Sequence, residues 1–207
     1  MKVWFTADLH LGHGNIIKYC NRPFLSAEEQ ALANIDPRGR WRVSPLTIQR
    51  HDDALLDAIN ARVAVTDVLW IVGDFCWGNA SDYRQRIRCR TVHLIWGNHD
   101  KKSIRPLFDQ AWEQGMIRVE GQDIWLNHYP MRSWDHAFHG AWHLYGHVHG
   151  RLVGEDRRNP WLLRRDVGVD ACDYQPISFQ ELQAYMAPRE AEWTRMYDSD
   201  SASGELS

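Results

Sequence analysis

An α/β layered fold is predicted for this 207-residue chain from three observations. Short apolar runs alternate with segments of helical periodicity, and helices set between strands lead to a layered α/β architecture. Five of those runs end alike: "KVWFT" gives way to "ADLHLGHGN", "VLWIV" to "GDFCWGN", "VHLIW" to "GNHD", "IWLN" to "HYP" and "WHLY" to "GHVHG". Hydrophobic residues make up 44% of the chain, enough at this length for one sizeable core. A single domain over 1–196 follows. The small, polar segment 197–207 is expected to be a disordered tail.

Each element has a local reason. The runs ending at residues 6, 72, 96, 127 and 145 are rich in Val, Ile, Trp and Leu, as strands require. Between the first two, residues 44–63 carry Ile48, Leu55, Leu56, Ile59 and Val63 at helical spacing, with Ser44 as N-cap and Pro45 at the first helical position. "SAEEQALAN" and part of "ASDYRQRIRCR" read as two further helices. In sheets of this kind ligands gather outside the carboxyl ends of the strands, which is where the polar clusters fall.

Composition narrows the function. A net charge of −3 argues against a protein that mainly grips long nucleic acid through its phosphates. Cys20, Cys76, Cys89 and Cys172 form no C-x-x-C pair, so reduced thiols in a cytoplasmic protein are expected. No signal-peptide pattern and no apolar run near the roughly 20 residues of a membrane span are present. Eleven Trp residues are many for this size, so several are expected to line a groove as well as the core.

The chemistry lies at the strand ends. Asp8 and His10 are two apart, and an extended backbone would point both to one side, within reach of one metal. His147 and His149 repeat that spacing, while Asp74, Asn98 and His128 add a carboxylate, an amide oxygen and an imidazole. A lone Asp-x-His is most often a cap, and a lone "GNHD" a polar turn. Five such elements, each closing a strand, point elsewhere. Seven N and O donors with no thiolate exceed one tetrahedral site and suit two metals sharing a carboxylate.

These five blocks, D-x-H, G-D, G-N-H-D, H and G-H-x-H, run from Asp8 to His149 and resemble the calcineurin-like metallophosphoesterase superfamily. "FTADLHLGHGNIIKYCNRPF", "HYPMRSW" and "GVDACDYQPIS" further resemble its small bacterial and phage members. The resemblance implies a four-layer αββα sandwich, two mixed sheets flanked by helices. The segment "RLVGED…WLLRRDVGVD" looks like a hairpin of the second sheet, despite Arg165 and Asp166 where uncharged strand residues are expected. It also implies one metal held by Asp8, His10 and His149, another by Asn98, His128 and His147, and Asp74 bridging both. His99 would assist the leaving group, with Asp100 fixing its tautomer. Two metals about 3.5–4 Å apart acidify a shared water and neutralise phosphate oxygens, so the expected activity is phosphoester hydrolysis by a bridging hydroxide.

Substrate contacts are expected from His13 and Asn15 in the glycine-rich turn, from Arg22, and from Arg132 and His139 flanking Trp134. The basic runs "RGRWRVS" and "RQRIRCR" either follow a nucleic-acid backbone or are a solvated loop and a helix end. A phosphodiesterase on small nucleotides, cyclic nucleotides or nucleic-acid ends is the expected activity. Phosphomonoesterase is the alternative, and a non-catalytic metal-binding scaffold the third reading. Mn²⁺ is the expected metal, with Fe, Zn or Ni also suited to these donors. No membrane partner is expected, and a dimer is left open.

Overall fold

The computed structural model describes residues 1–203, with side chains to residue 196. In chain order the elements are β1 (Val3–Thr6), α1 (Gly14–Tyr19), α2 (Ala27–Ile35), α3 (Pro45–Arg62), β2 (Val68–Val72), α4 (Ala80–Arg86), β3 (Thr91–Ile95), β4 (Gln110–Trp112), β5 (Gln114–Val119), β6 (Gln122–Asn127), β7 (Trp142–Tyr145), α5 (Val153–Arg158), β8 (Arg164–Asp166), β9 (Ile177–Ser178) and α6 (Phe179–Ser203). One sheet has the order β4-β3-β2-β1-β9, parallel except for β9. The other runs β5-β6-β7-β8, with β5 antiparallel and the rest parallel. Both sheets are therefore mixed, as expected.

Alternation along the strands fixes the layers. Phe5, Trp70, Val72 and Ile95 from one sheet meet Ile124, Leu126, Trp142 and Leu144 from the other in a single cluster. Trp4, Leu69, Ile71, Val92 and Leu94 point to the opposite face, where Leu55, Leu56 and Ile59 of α3 cover them. On the far side α5 packs beside β8, and α6 beside β9 and β1. The backbone of α6 reaches Ser203, into the segment expected to be disordered, and 204–207 lie outside the described residues.

The helix 44–63 forms where expected, with the Ser44 hydroxyl accepting from the Thr47 N–H and Pro45 opening the first turn. Glu29 ties its start to that of α2: this buried carboxylate accepts from the N–H groups of Ser26 at 2.9 Å and Ser44 at 2.6 Å and from the Thr47 hydroxyl at 2.6 Å. Burial alone would raise its pKa, but these donors outweigh it and hold the carboxyl at about 2, against an ordinary 4.5. A folded-state pKa below the unfolded one stabilises fully above about pH 4.5 and is lost as pH falls through about 2. The Glu29→Gln variant should be less stable at pH 7 by up to roughly 3 kcal/mol, and the gap should close on acidification. Denaturant titrations at pH 7 and about pH 3 check this; an equal gap at both would refute the linkage.

The expected hairpin is not formed. Residues 153–158 are the helix α5, and β8 joins β7 in parallel, so the connection is a crossover. The charged strand is explained by its partners: Arg164 pairs with buried Asp156 at 2.8 Å and with exposed Glu155 at 2.7 Å, and buried Asp166 accepts from the N–H groups of Gly150 and Gly168. Arg165 lies over the Tyr185 ring at 4.1 Å.

Candidate metal centre

The five polar blocks converge beyond the ends of β1, β2, β3, β6 and β7. The route by which they do so corrects the expectation of an extended backbone. Asp8, His10, Asp74, His147 and His149 all have left-handed φ, from 49° to 70°. A non-glycine residue there costs about 1 to 3 kcal/mol and persists only where its surroundings hold it. Here the first two blocks are laced together by Asp8 N–H to Gly73 O (3.0 Å), His10 N–H to Asp74 O (2.9 Å) and Leu11 N–H to Phe75 O (3.1 Å). The Asp8 carboxylate in turn accepts from the His147 N–H. In each pair left-handed turns, not strand pleating, set the direction of the two side chains.

The glycines beside these ligand-type residues make room for other blocks. A Cβ on Gly73 would lie 2.2 Å from His128 Nδ1, and one on Gly97 would lie 2.1 Å from Asp74 Oδ1. Asp100 holds the same junction: its carboxylate accepts from the N–H groups of Asp74, Phe75 and Gly97, each at 2.9 Å. It is thus taken up by backbone and does not orient His99 as expected. "GNHD" brings a carboxylate to the strand end to fasten the third block to the second.

Asp8, His10 and His149 present donor atoms within 4.8 Å of one another, and so do Asp8, Asp74 and His128. Asp8 belongs to both groups, and Asp74 Oδ2, in the second, also reaches the first: it lies 3.3 Å from His10 Nε2 and 3.4 Å from His128 Nε2. Asn98 Oδ1 lies 3.2 Å from His128 Nε2 and 3.0 Å from His147 Nδ1. His128 Nδ1 faces the Val72 carbonyl at 2.9 Å and His149 Nδ1 faces Asp170 at 2.7 Å, the backing that turns the other ring nitrogen toward a metal.

The donor set, carboxylate, imidazole and amide groups with an orphaned buried ring nitrogen among them, fits divalent cations. His10 Nε2 is buried with no hydrogen-bond partner, and burial, against the pull of Asp74, brings this imidazole down to about 2, leaving its lone pair free. Burial pushes the Asp8 carboxyl up to about 7 despite the opposing His128 and His149. Burial would raise Asp74 as well, but His128, His10 and the His99 N–H hold it at about 2. Burial would lower His149, yet Asp170, Cys20 and Asp8 lift it to about 10. The buried Asp8 carboxyl is the group left short of compensating charge, which a bound cation would supply.

The expected substrate residues fare unevenly. His13 lies at the centre, its ring 5.6 Å from His10 and its Nδ1 buried without a partner, and burial lowers its pKa to about 4. Asn15 is exposed in the first turn of α1. Arg22 is no substrate residue. It is fully buried and all five N–H donors are used: two on Asp170 (2.9 and 2.7 Å), two on the carbonyls of Leu9 (3.1 Å) and Asp8 (2.8 Å), and one on His51 Nε2 at 2.7 Å. Because Arg22 can only donate, His51 carries its proton on Nδ1 and gives it to Asp52 at 2.8 Å. Asp52 also accepts from the Gly12 N–H and the Tyr83 hydroxyl. Trp134 is buried, its indole N–H bonded to the Ala141 carbonyl, so it offers no ring for stacking. Arg132 and His139 are exposed, His139 beside His136, and no contact described here joins either to the centre.

Sequence inspection missed Asp170, His51, Asp52 and Trp77. A signal existed for one pair: His51 and Asp52 occupy the apolar stripe of α3 that continues through Leu55, Leu56 and Ile59. The basic runs are a held loop and a helix end. Lys18 bonds the carbonyls of Gly39 and Trp41, and Arg84 bonds those of Ile87 and Arg90. All four cysteines are free. No described helix is long and apolar enough to cross a membrane.

Two mixed sheets with a cluster of Asp, Asn and His at their strand ends define a metal-dependent hydrolase architecture. The chain belongs to the calcineurin-like phosphoesterases, whose family model matches residues 1–166. It is therefore a metal-dependent phosphoester hydrolase, and the family implies a dinuclear divalent centre. It is 28% identical over 182 residues to an uncharacterized protein of Methanocaldococcus jannaschii, covering 86% of each chain. It is 26% identical over 203 residues to the Gene 66 protein of Mycobacterium phage D29, covering 82% of this chain and 88% of that one. A crystal structure of a protein of unknown function from Aquifex aeolicus shares the fold, with a TM-score of 0.63, 23% identity, and 89% of this chain and 98% of that one covered.

Proposed function

We propose that the protein is a phosphodiesterase acting on small nucleotides, cyclic nucleotides or nucleic-acid ends, with Mn²⁺ as the preferred metal. Asp8, His10 and His149 would hold one ion and Asn98, His128 and His147 the other, with Asp74 shared. Bound there, two divalent cations neutralise phosphate oxygens and acidify a water. The residues do the rest. The 3.0 Å bond from the His99 N–H to Asp74 keeps His99 at the rim of the cluster, its ring 5.4 Å from that of His10. From there its imidazole gives a proton to the departing oxygen. His13, neutral at pH 7, would donate its ring N–H to a phosphate oxygen or a sugar hydroxyl.

The single observation that carries the diester preference is that clefts open on both sides of Asn98. One, of about 370 Å³, is lined by Cys76, Trp77, His99 and Lys101; the other, of about 460 Å³, by Trp96, Lys102, Gln114 and Tyr129. A phosphomonoester has one substituent and needs one cleft, whereas a diester fills two. With Mn²⁺ the protein should hydrolyse bis-p-nitrophenyl phosphate faster than p-nitrophenyl phosphate, and then cleave cyclic nucleotides. Preference for the monoester would establish the phosphatase alternative, and no turnover with metal bound the scaffold.

A further inference from the structure

Trp77 is an exposed aromatic side chain at the strand-end blocks to which the metal-ligand set gives no role. It lies just past the Asp74 block, is 50% exposed and lines the cleft that His99 borders. Its backbone is fixed by a 2.7 Å bond from its N–H to the Leu11 carbonyl, next to the Leu11–Cys76 bridge. One face is taken by His13, stacked at 4.1 Å and 16°. His99 lies 4.8 Å away and tilted by 49°. With His13 and His99 6.4 Å apart, the two imidazoles subtend nearly a right angle at Trp77, so His99 meets the indole at its edge and the face opposite His13 carries neither ring. The indole is thus held rigid, backed on one side, open on the other, and adjacent to the imidazole assigned to the leaving group.

We infer that Trp77 is the stacking platform for an aromatic base carried by the leaving group of the substrate. The inference rests on the diesterase reading and specifies it: the alcohol that departs past His99 is a nucleoside, whose ring lies on the free face of Trp77 in the cleft it shares with Lys101. A fixed indole stacks any base with little ordering cost and little sequence preference, because every base presents a π-face. The other group of the diester occupies the Tyr129 cleft.

Dinucleoside phosphates with an abasic sugar on one side or the other test this, and identifying which product keeps the phosphate tells which oxygen left. Wild-type protein loaded with Mn²⁺ should favour the substrate whose leaving sugar bears a base by roughly 5- to 150-fold in kcat/KM. In Trp77→Ala that ratio should fall toward one, and in Trp77→Phe it should largely persist. A ratio unchanged in Trp77→Ala, or no preference in wild type, would overturn the platform. Because failure of the diesterase reading would remove turnover, calorimetry on the same Mn²⁺-loaded proteins compares a nucleoside 5′-monophosphate with ribose 5-phosphate. Tighter binding of the nucleotide by wild type, lost in Trp77→Ala, upholds the platform even if neither diester is cleaved. Equal affinities in wild type would sink it.

Discussion

The Asp74→Asn protein should bind less metal at both positions and lose phosphoester hydrolysis by on the order of 10³-fold or more. That magnitude corresponds to several kcal/mol of transition-state charge stabilisation at 1.36 kcal/mol per tenfold. The expectation follows from one oxygen: Asp74 Oδ2 lies 3.3 Å from His10 Nε2 and 3.4 Å from His128 Nε2, the two donors that belong to different ligand groups. Asparagine keeps an oxygen for the His99 N–H, which Asp74 Oδ1 accepts at 3.0 Å, so the loop that carries His99 keeps its anchor while the charge goes. Asn98→Ala should act differently, because Asn98 Oδ1 faces only His128 and His147. Metal per chain, measured on purified variants reloaded with Mn²⁺, should drop for both ions in Asp74→Asn and mainly for one in Asn98→Ala. Undiminished, equal occupancy in the two variants would show that Asp74 is not shared. Chelation should abolish activity and Mn²⁺ should restore it best; full activity in metal-free protein would remove the dinuclear centre altogether.

What was legible in the sequence, and what was not, separates along a physical line. The candidate ligands could be picked out because each follows an apolar run and is a residue type that coordinates hard or borderline metals, both local properties. Their conformation could not: left-handed φ at Asp8, His10, Asp74, His147 and His149 is imposed by contacts between blocks far apart in the chain. Arg22 was misassigned for the same reason. Its ion-pair partner, Asp170, is 148 positions away, and nothing near "CNRPF" shows that the guanidinium is buried and saturated. Asp100 looked like an imidazole's partner because it is the neighbour of His99 in sequence, whereas a carboxylate beside three converging backbone N–H groups is captured by them. The α3 boundaries were readable because Ser44 and Pro45 cap the helix locally. The parallel crossover to β8 was not, since the buried pairing of Arg164 with Asp156 disguises a strand as a charged loop.

His99→Ala is the variant whose effect should depend most on the substrate. The side chain touches none of the candidate ligands by a hydrogen bond described here, and its backbone N–H, not its ring, bonds Asp74, so truncation should leave metal content at the wild-type level. The ring stands at the rim, lining the cleft proposed for the departing group. A p-nitrophenolate leaves readily without a proton, and a ribose alkoxide is far more basic. General acid catalysis contributes about 10²- to 10⁴-fold where the leaving group needs it. The variant should therefore lose about that much on a nucleotide-like diester and much less on bis-p-nitrophenyl phosphate. Steady-state rates on both substrates, at equal metal occupancy, decide the role. If His99 instead stabilises charge on the non-bridging phosphoryl oxygens, the loss should be alike for both leaving groups, because that charge develops whichever oxygen departs. A uniform loss would remove the proton from His99 and leave it an electrostatic contact, with the metal centre and the family's hydrolytic chemistry standing.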